Sequence, residues 1–159
     1  MQINILAVGR LKEKYLKEAQ GEYLKRLSAY ARVNVLEVED EPFKEGISAA
    51  LEEAVKSKEA GRLLKHISQG DYVVILDREG RQMTSEGLAE FISTLGLEGK
   101  SRITFVVGGT LGLAEEVTRA ARHRLSFSQM TFPHQLMRII LLEQVFRAFK
   151  IARGEPYHK

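Results

Sequence analysis

His134 and Arg138 lie four residues apart in the segment FSQMTFPHQLMR (127–138), a spacing that puts both on one face of a helix. An imidazole that titrates near neutrality and a guanidinium that stays charged could address one substrate together, unless the pair is ordinary surface decoration. The chain closes with GEPYHK (154–159). Tyr157, His158 and Lys159 offer a stacking ring, a base and a cation in consecutive positions, where the alternative is a frayed terminus. A third candidate is VVGGTLGL (106–113), which follows an apolar run and precedes an acidic segment. Gly108, Gly109 and Gly112 permit a sharp turn and the close approach of a ligand to the backbone. Glu115 and Glu116 then open the next helix, where they oppose a phosphate at its positive end. The expected ligand is therefore cationic or free of phosphate; the other reading is a turn that only reverses the chain.

Two tempting motifs fail. GLEGKS (96–101) would need a glycine at position 94 to be a phosphate loop, and that residue is Thr94; it also precedes a strand instead of following one. The four histidines show no metal-ligand spacing and cysteine is absent, so no metal site is expected.

To position the candidates the chain must supply strands and helices in alternation. INILAV (3–8), YVVIL (72–76) and ITFVV (103–107) are short, β-branched and continuously apolar, as strands buried on both faces are. RVNVLEVE (32–39) is more polar and reads as a strand nearer an edge, and RLSFS (124–128) as a fifth. Residues 12–30 carry Tyr15, Leu16, Ala19, Tyr23, Leu24, Leu27 and Tyr30 at spacings of three and four, which predicts an amphipathic helix. Helices are also expected over 46–67, 84–95 and 113–123. The alternation implies one α/β domain over residues 1–159, with a mostly parallel sheet flanked by helices. Ligands of such sheets sit at the carboxyl ends of the strands, which gathers Leu76, Asp77, Gly108 and the residues after Phe127 around one crevice. The last helix, from about His134 to Ile151, is apolar on nearly every side. It must be wrapped by its own chain or packed against a second subunit.

At 159 residues and 44% hydrophobic content the chain can bury one substantial core. Without cysteine it needs no oxidising compartment. Its longest apolar runs fall far below the roughly 18 residues that span a bilayer, and MQINILAVGR lacks a signal-peptide layout, so a cytoplasmic protein without membrane attachment is expected. The net charge is +3, but residues 117–159 hold eight Lys/Arg against two acids. That asymmetry makes a polyanion a plausible partner of the C-terminal side.

The strand end FVVGGTLGL, the block LSFSQMTFPHQLMRIILLEQVFRAF and the terminal PYHK together resemble the ribosomal RNA large subunit methyltransferase H family of the SPOUT superfamily. The likeness extends to the N-terminal INILAVGRLKEKYLKEAQGEYLKRL. It implies a SPOUT-type α/β fold with a C-terminal trefoil knot, a homodimer, and S-adenosyl-L-methionine as methyl donor. The implied substrate is ring nitrogen 3 of a pseudouridine in 23S ribosomal RNA, within the large subunit or the assembled ribosome. By the same resemblance Leu76, Gly108, Phe127, Ser128, Gln129, Met130, Thr131 and Phe132 line the cofactor pocket. His158 is the candidate base, Arg138 would steady the developing anionic ring, and His134 would orient it. Tyr157 would stack on the RNA base and Lys159 would hold a phosphate. Two alternatives stand beside this reading: a SPOUT enzyme acting on tRNA, and a ribosome-binding module without catalysis.

Overall fold

The computed structural model describes residues 1–157. Its elements alternate strictly: β1 (Gln2–Val8), α1 (Lys14–Leu27), β2 (Arg32–Val38), α2 (Ala49–Leu64), β3 (Tyr72–Gln82), α3 (Ser85–Leu97), β4 (Arg102–Val107), α4 (Glu115–Ala120), β5 (His123–Ser126) and α5 (His134–Ala152). The five strands form one sheet in the order β2-β1-β4-β3-β5, and every pairing is parallel. β2, the more polar strand, lies at one edge.

Side chains on a strand alternate between faces, so each central strand feeds two cores. Ile3, Ile5 and Ala7 of β1, with Ile103, Phe105 and Val107 of β4, pack on one face with residues of α1, α3 and α5. Leu6, Val8 and Val106 point the other way, onto Ala60 and Leu63 of α2 and Val117 of α4. Double burial explains why these strands are nearly continuously apolar; the buried exceptions, Asn4 and Thr104, are hydrogen-bonded to each other. Helices α2 and α3 begin where a side chain caps them: Ser48 Oγ accepts the Leu51 N–H, and Thr84 Oγ1 accepts the Gly87 N–H.

The apolar last helix is wrapped by its own chain. α5 packs against both α1 and α3 under the sheet, with Leu141, Leu142 and Val145 fully buried. Ile140, Phe149 and Ile151 keep part of their surface in contact with solvent. A second subunit is therefore not needed to account for most of the helix's composition.

Two elements depart from expectation. α4 stops at Ala120, short of the helix expected over 113–123, because Ala121 is extended and the Arg122 N–H donates to the Val73 carbonyl. The sheet thus captures residues whose local pattern is helical. β3 runs six residues past Leu76, because its pairing with β5 resumes after an interruption. Leu76 and Arg81 both face Leu125, so Asp77 to Gly80 loop out of register. The excursion is pinned by Arg124, whose Nη2 lies 2.6 Å from Asp77 Oδ2, and by the Glu79 N–H donating to Asp77 Oδ1. Gly80 passes so close to β5 that a Cβ there would lie 2.6 Å from the Arg124 carbonyl oxygen. Gly80→Ala is expected to force backbone apart and to lower the unfolding free energy by about 1–3 kcal/mol. Urea denaturation would show this as an earlier midpoint at unchanged slope.

Candidate functional site

The carboxyl ends of β3, β4 and β5 open into a cavity of about 370 Å³, the place where open parallel sheets bind ligands. One wall is the glycine turn. The Gly112 N–H donates to the Gly109 carbonyl at 3.0 Å, and Gly112 has φ +86°, a conformation that favours glycine. Gly108 is bare for a reason internal to this turn. A Cβ would fall 3.0 Å from Leu113 Cγ and 3.1 Å from the Gly112 carbonyl carbon, so it would press on the turn itself. A Cβ on Gly109 would meet Val8 at 3.0 Å and the Glu59 carboxylate at 3.3 Å. Glu59 is 95% buried, its Oε1 accepts the Glu41 N–H, and burial holds its carboxyl above the usual range. The turn is thus seated on a buried acid of α2, which local sequence does not announce.

The opposite wall is the loop between β5 and α5. Phe127, Ser128, Met130, Thr131 and Phe132 line the cavity, as do Leu76 and Gly108. Gln129 does not; its side chain is exposed at the loop's outer side. The loop is held from below by Ser126, whose hydroxyl lies within hydrogen-bonding distance of the Arg78 and Ser128 carbonyls (2.9 and 3.1 Å). Ser128 Oγ accepts the Met130 N–H, and Arg78 donates to Thr131 Oγ1. Among the described residues, no backbone group from Gln129 to Phe132 bonds to another backbone group. Apart from the Met130 N–H, which Ser128 Oγ accepts, those donors and acceptors are available to a ligand. The lining combines Leu76, Val107, Leu125, Phe127, Phe132 and Met137 with the carboxylate of Asp77 and, among the described residues, the single fixed cation Arg78. That environment suits a ligand that combines an apolar or planar portion with polar groups.

His134 lines the cavity as the first residue of α5. Burial, reinforced by the Arg138 charge, holds its imidazole below the ordinary histidine range, so it is neutral at physiological pH. Arg138 itself is 99% buried and does not line the cavity. Its Nη1 pairs with Glu37, its Nη2 donates to the Gly9 carbonyl at 2.9 Å, and its Nε has no partner among the described residues. In this structure the guanidinium is engaged by its own chain and stands behind the cavity wall. The guanidinium ties α5 to β1 and β2, and its field discourages protonation of His134.

Tyr157 is also placed away from the cavity. Its ring meets Phe146 edge-on at 5.0 Å, Arg147 covers it at 4.7 Å, and its hydroxyl donates to Glu143 Oε1. The ring is half-buried and packed on α5 of its own chain. Glu143 and Phe146 stand nine and twelve residues beyond His134 on α5, which separates Tyr157 from the cavity by about 14–18 Å along the helix. Next to it Glu155 accepts from Tyr30 and Lys150, both at 2.5 Å, so the segment leading to Tyr157 is anchored. The proposed base His158 and phosphate ligand Lys159 lie outside the described residues. No group of three His, Cys, Asp or Glu residues that could hold a metal occurs among the described residues, and no described helix is long and apolar enough to cross a membrane.

The parallel sheet thus opens at its carboxyl end into a cavity framed by a glycine turn and a second loop. The family model described as predicted SPOUT methyltransferase matches residues 1–158. The chain is 58% identical over 156 residues to the ribosomal RNA large subunit methyltransferase H of Pelotomaculum thermopropionicum, covering 98% of each chain. It is 55% and 53% identical to the proteins of that name from Carboxydothermus hydrogenoformans and Clostridium kluyveri, over the full length of both chains. The chain belongs to the ribosomal RNA large subunit methyltransferase H family of SPOUT methyltransferases.

The state of His134 is directly measurable. Its folded pKa is depressed, so as pH falls the unfolded chain takes up the proton first, from about 6.5. Stability therefore rises with pH through the window below 6.5, down to the folded value. The NMR titration of His134 is expected to have its midpoint below about 6.5, and His134→Gln to flatten that part of the stability profile.

Proposed function

We propose that this protein uses S-adenosyl-L-methionine to methylate ring nitrogen 3 of a pseudouridine in 23S ribosomal RNA, acting on the large subunit or the assembled ribosome. The observation that carries the reading is the cavity: it is framed by the glycine turn and the Phe127–Phe132 loop, its backbone groups are free to bind, and it is poor in cations. The names of the relatives supply the substrate class. When bound, the cofactor supplies a methyl group on a sulfonium, which leaves as a neutral thioether.

The rest falls to the chain. The imide proton on nitrogen 3 must depart as the new N–C bond forms, so the protein needs a base and a rigid position for the ring. Neutral His134 at the cavity wall is suited to orient the ring by hydrogen bonding. Arg138 keeps it neutral from behind, and His158 takes the proton. Since Tyr157 is packed about 14–18 Å from His134 along α5, a tail continuing from it serves the cavity of a second subunit. The homodimer then has a catalytic reason beyond the packing of α5. The chain is further proposed to pass through its own loops as a trefoil knot, the exception to the usual avoidance of knots.

Calorimetry with S-adenosylmethionine, followed by radiolabelled methyl transfer to large subunits, whole ribosomes and tRNA, tests the reading. Binding with transfer to a ribosomal particle is expected. Transfer to tRNA alone would reassign the substrate, and binding without any transfer would leave a ribosome-binding module. A chain ending at Tyr157 keeps every described contact and is expected to retain cofactor affinity while losing turnover on the order of 10²-fold or more. His158→Ala should reproduce most of that loss. Mixing a pocket-defective chain with a tail-defective chain should restore part of the activity if the tail works across the dimer, and none if it works within one chain.

A further inference from the structure

The excursion of β3 builds a second concavity beside the first. Asp77 and Arg78 line the cavity described above, while Glu79, Gly80 and Arg81 form one bank of a groove of about 360 Å³. The other bank is the α4–β5 connection, which contributes Arg122 and Arg124. Four arginines, Arg78 and Arg81 of β3 with Arg122 and Arg124 around the start of β5, therefore come to the same sheet edge, although the two segments are some 40 residues apart in sequence.

Their charges are not equally free. Arg124 is held by Asp77, and Arg78 donates to Thr131. Arg81 and Arg122 are exposed, and neither side chain has a hydrogen bond or ion pair among the described residues. Glu79 is the one acid in the groove. Two uncommitted guanidiniums facing each other across a groove do nothing for the fold. Their planar forks match the oxygens of a phosphodiester, which they can grip bidentately.

We propose that this groove is the docking surface for the RNA backbone: Arg81 and Arg122 clamp phosphates flanking the nucleotide that enters the cavity. The proposal rests on the reading of the protein as an RNA methyltransferase. The shared wall is what couples the two concavities. A strand whose phosphates lie against Arg81 and Arg122 runs past Arg78 to the cavity mouth, where the base can be splayed inward as single-stranded RNA permits. Phosphate contacts of this kind fix register without reading sequence.

The test is the double variant Arg81→Ala/Arg122→Ala, compared with Lys17→Ala/Lys25→Ala, which removes the same charge from the exposed face of α1. Cofactor affinity should be unchanged in both. Binding to ribosomal particles, measured across salt concentrations, should weaken for the groove variant, with a log–log salt slope shallower by about 1.5, the value for two lost phosphate contacts. Its KM for ribosomes should rise on the order of 10-fold or more while kcat stays within about 3-fold, the pattern of lost uniform binding. If the wild-type protein methylates ribosomes and the groove variant matches the α1 control in slope and KM, the groove is overturned and the activity stands. A wild-type protein that binds no ribosomal RNA at any salt concentration overturns both.

Discussion

The burial of α5 under the sheet, between α1 and α3, is the constraint on which the other features depend. Its nineteen residues act as a rigid spacer of about 27 Å. At its first residue it fixes the cavity loop and His134. Past its middle it supplies Glu143, Phe146 and Arg147, on which Tyr157 is packed. Leu141, Leu142 and Val145 cannot leave the core without losing several kcal/mol of buried apolar contact. The separation between the cavity and Tyr157 is therefore a property of the core.

Arg138 shows how a buried charge can serve such a scaffold. Its desolvation would be costly if it were unpaired, and the Glu37 carboxylate and Gly9 carbonyl offset that cost. The same contacts draw the start of α5 onto the carboxyl ends of β1 and β2. His134, one helical turn earlier, inherits both a half-buried position and an unfavourable field for its own protonation. A charge used to lock packing thus also sets the protonation state of a neighbour at the cavity.

Around the cavity, glycine and serine do related work by different means. Gly80, Gly108 and Gly109 admit neighbouring backbone and side chains where a Cβ would collide. Ser126 ties the excursion of β3 to the loop after β5 through two carbonyls. These contacts are short and internal, so the cavity walls are braced against the protein. The ligand-facing backbone of Gln129 to Phe132 is left open. The excursion braced in this way also forms the bank of the arginine groove.

Hydrophobic pattern alone determined the order of elements, the parallel sheet and the two-faced burial of β1 and β4, because strand and helix periodicity are local properties of side-chain spacing. The rule that ligands of parallel sheets meet the strands at their carboxyl ends gathered Leu76, Asp77, Gly108 and the residues after Phe127, while the 127–132 pocket set came from the family resemblance and His134 was singled out by its spacing from Arg138. What pattern could not determine were events between segments distant in the chain. The polar DREGRQ stretch joined β3 only because β5 was there to pair with, and Arg122 left a helical pattern because the Val73 carbonyl was unfilled. His134 and Arg138 look equivalent on a helix face, yet tertiary packing sent one to the cavity and buried the other against Glu37. Tyr157 looks like a free aromatic ring until α5 presents Phe146 and Arg147 to hold it. Residue type fixes what a side chain can do, but which partner it meets depends on the three-dimensional path of the rest of the chain.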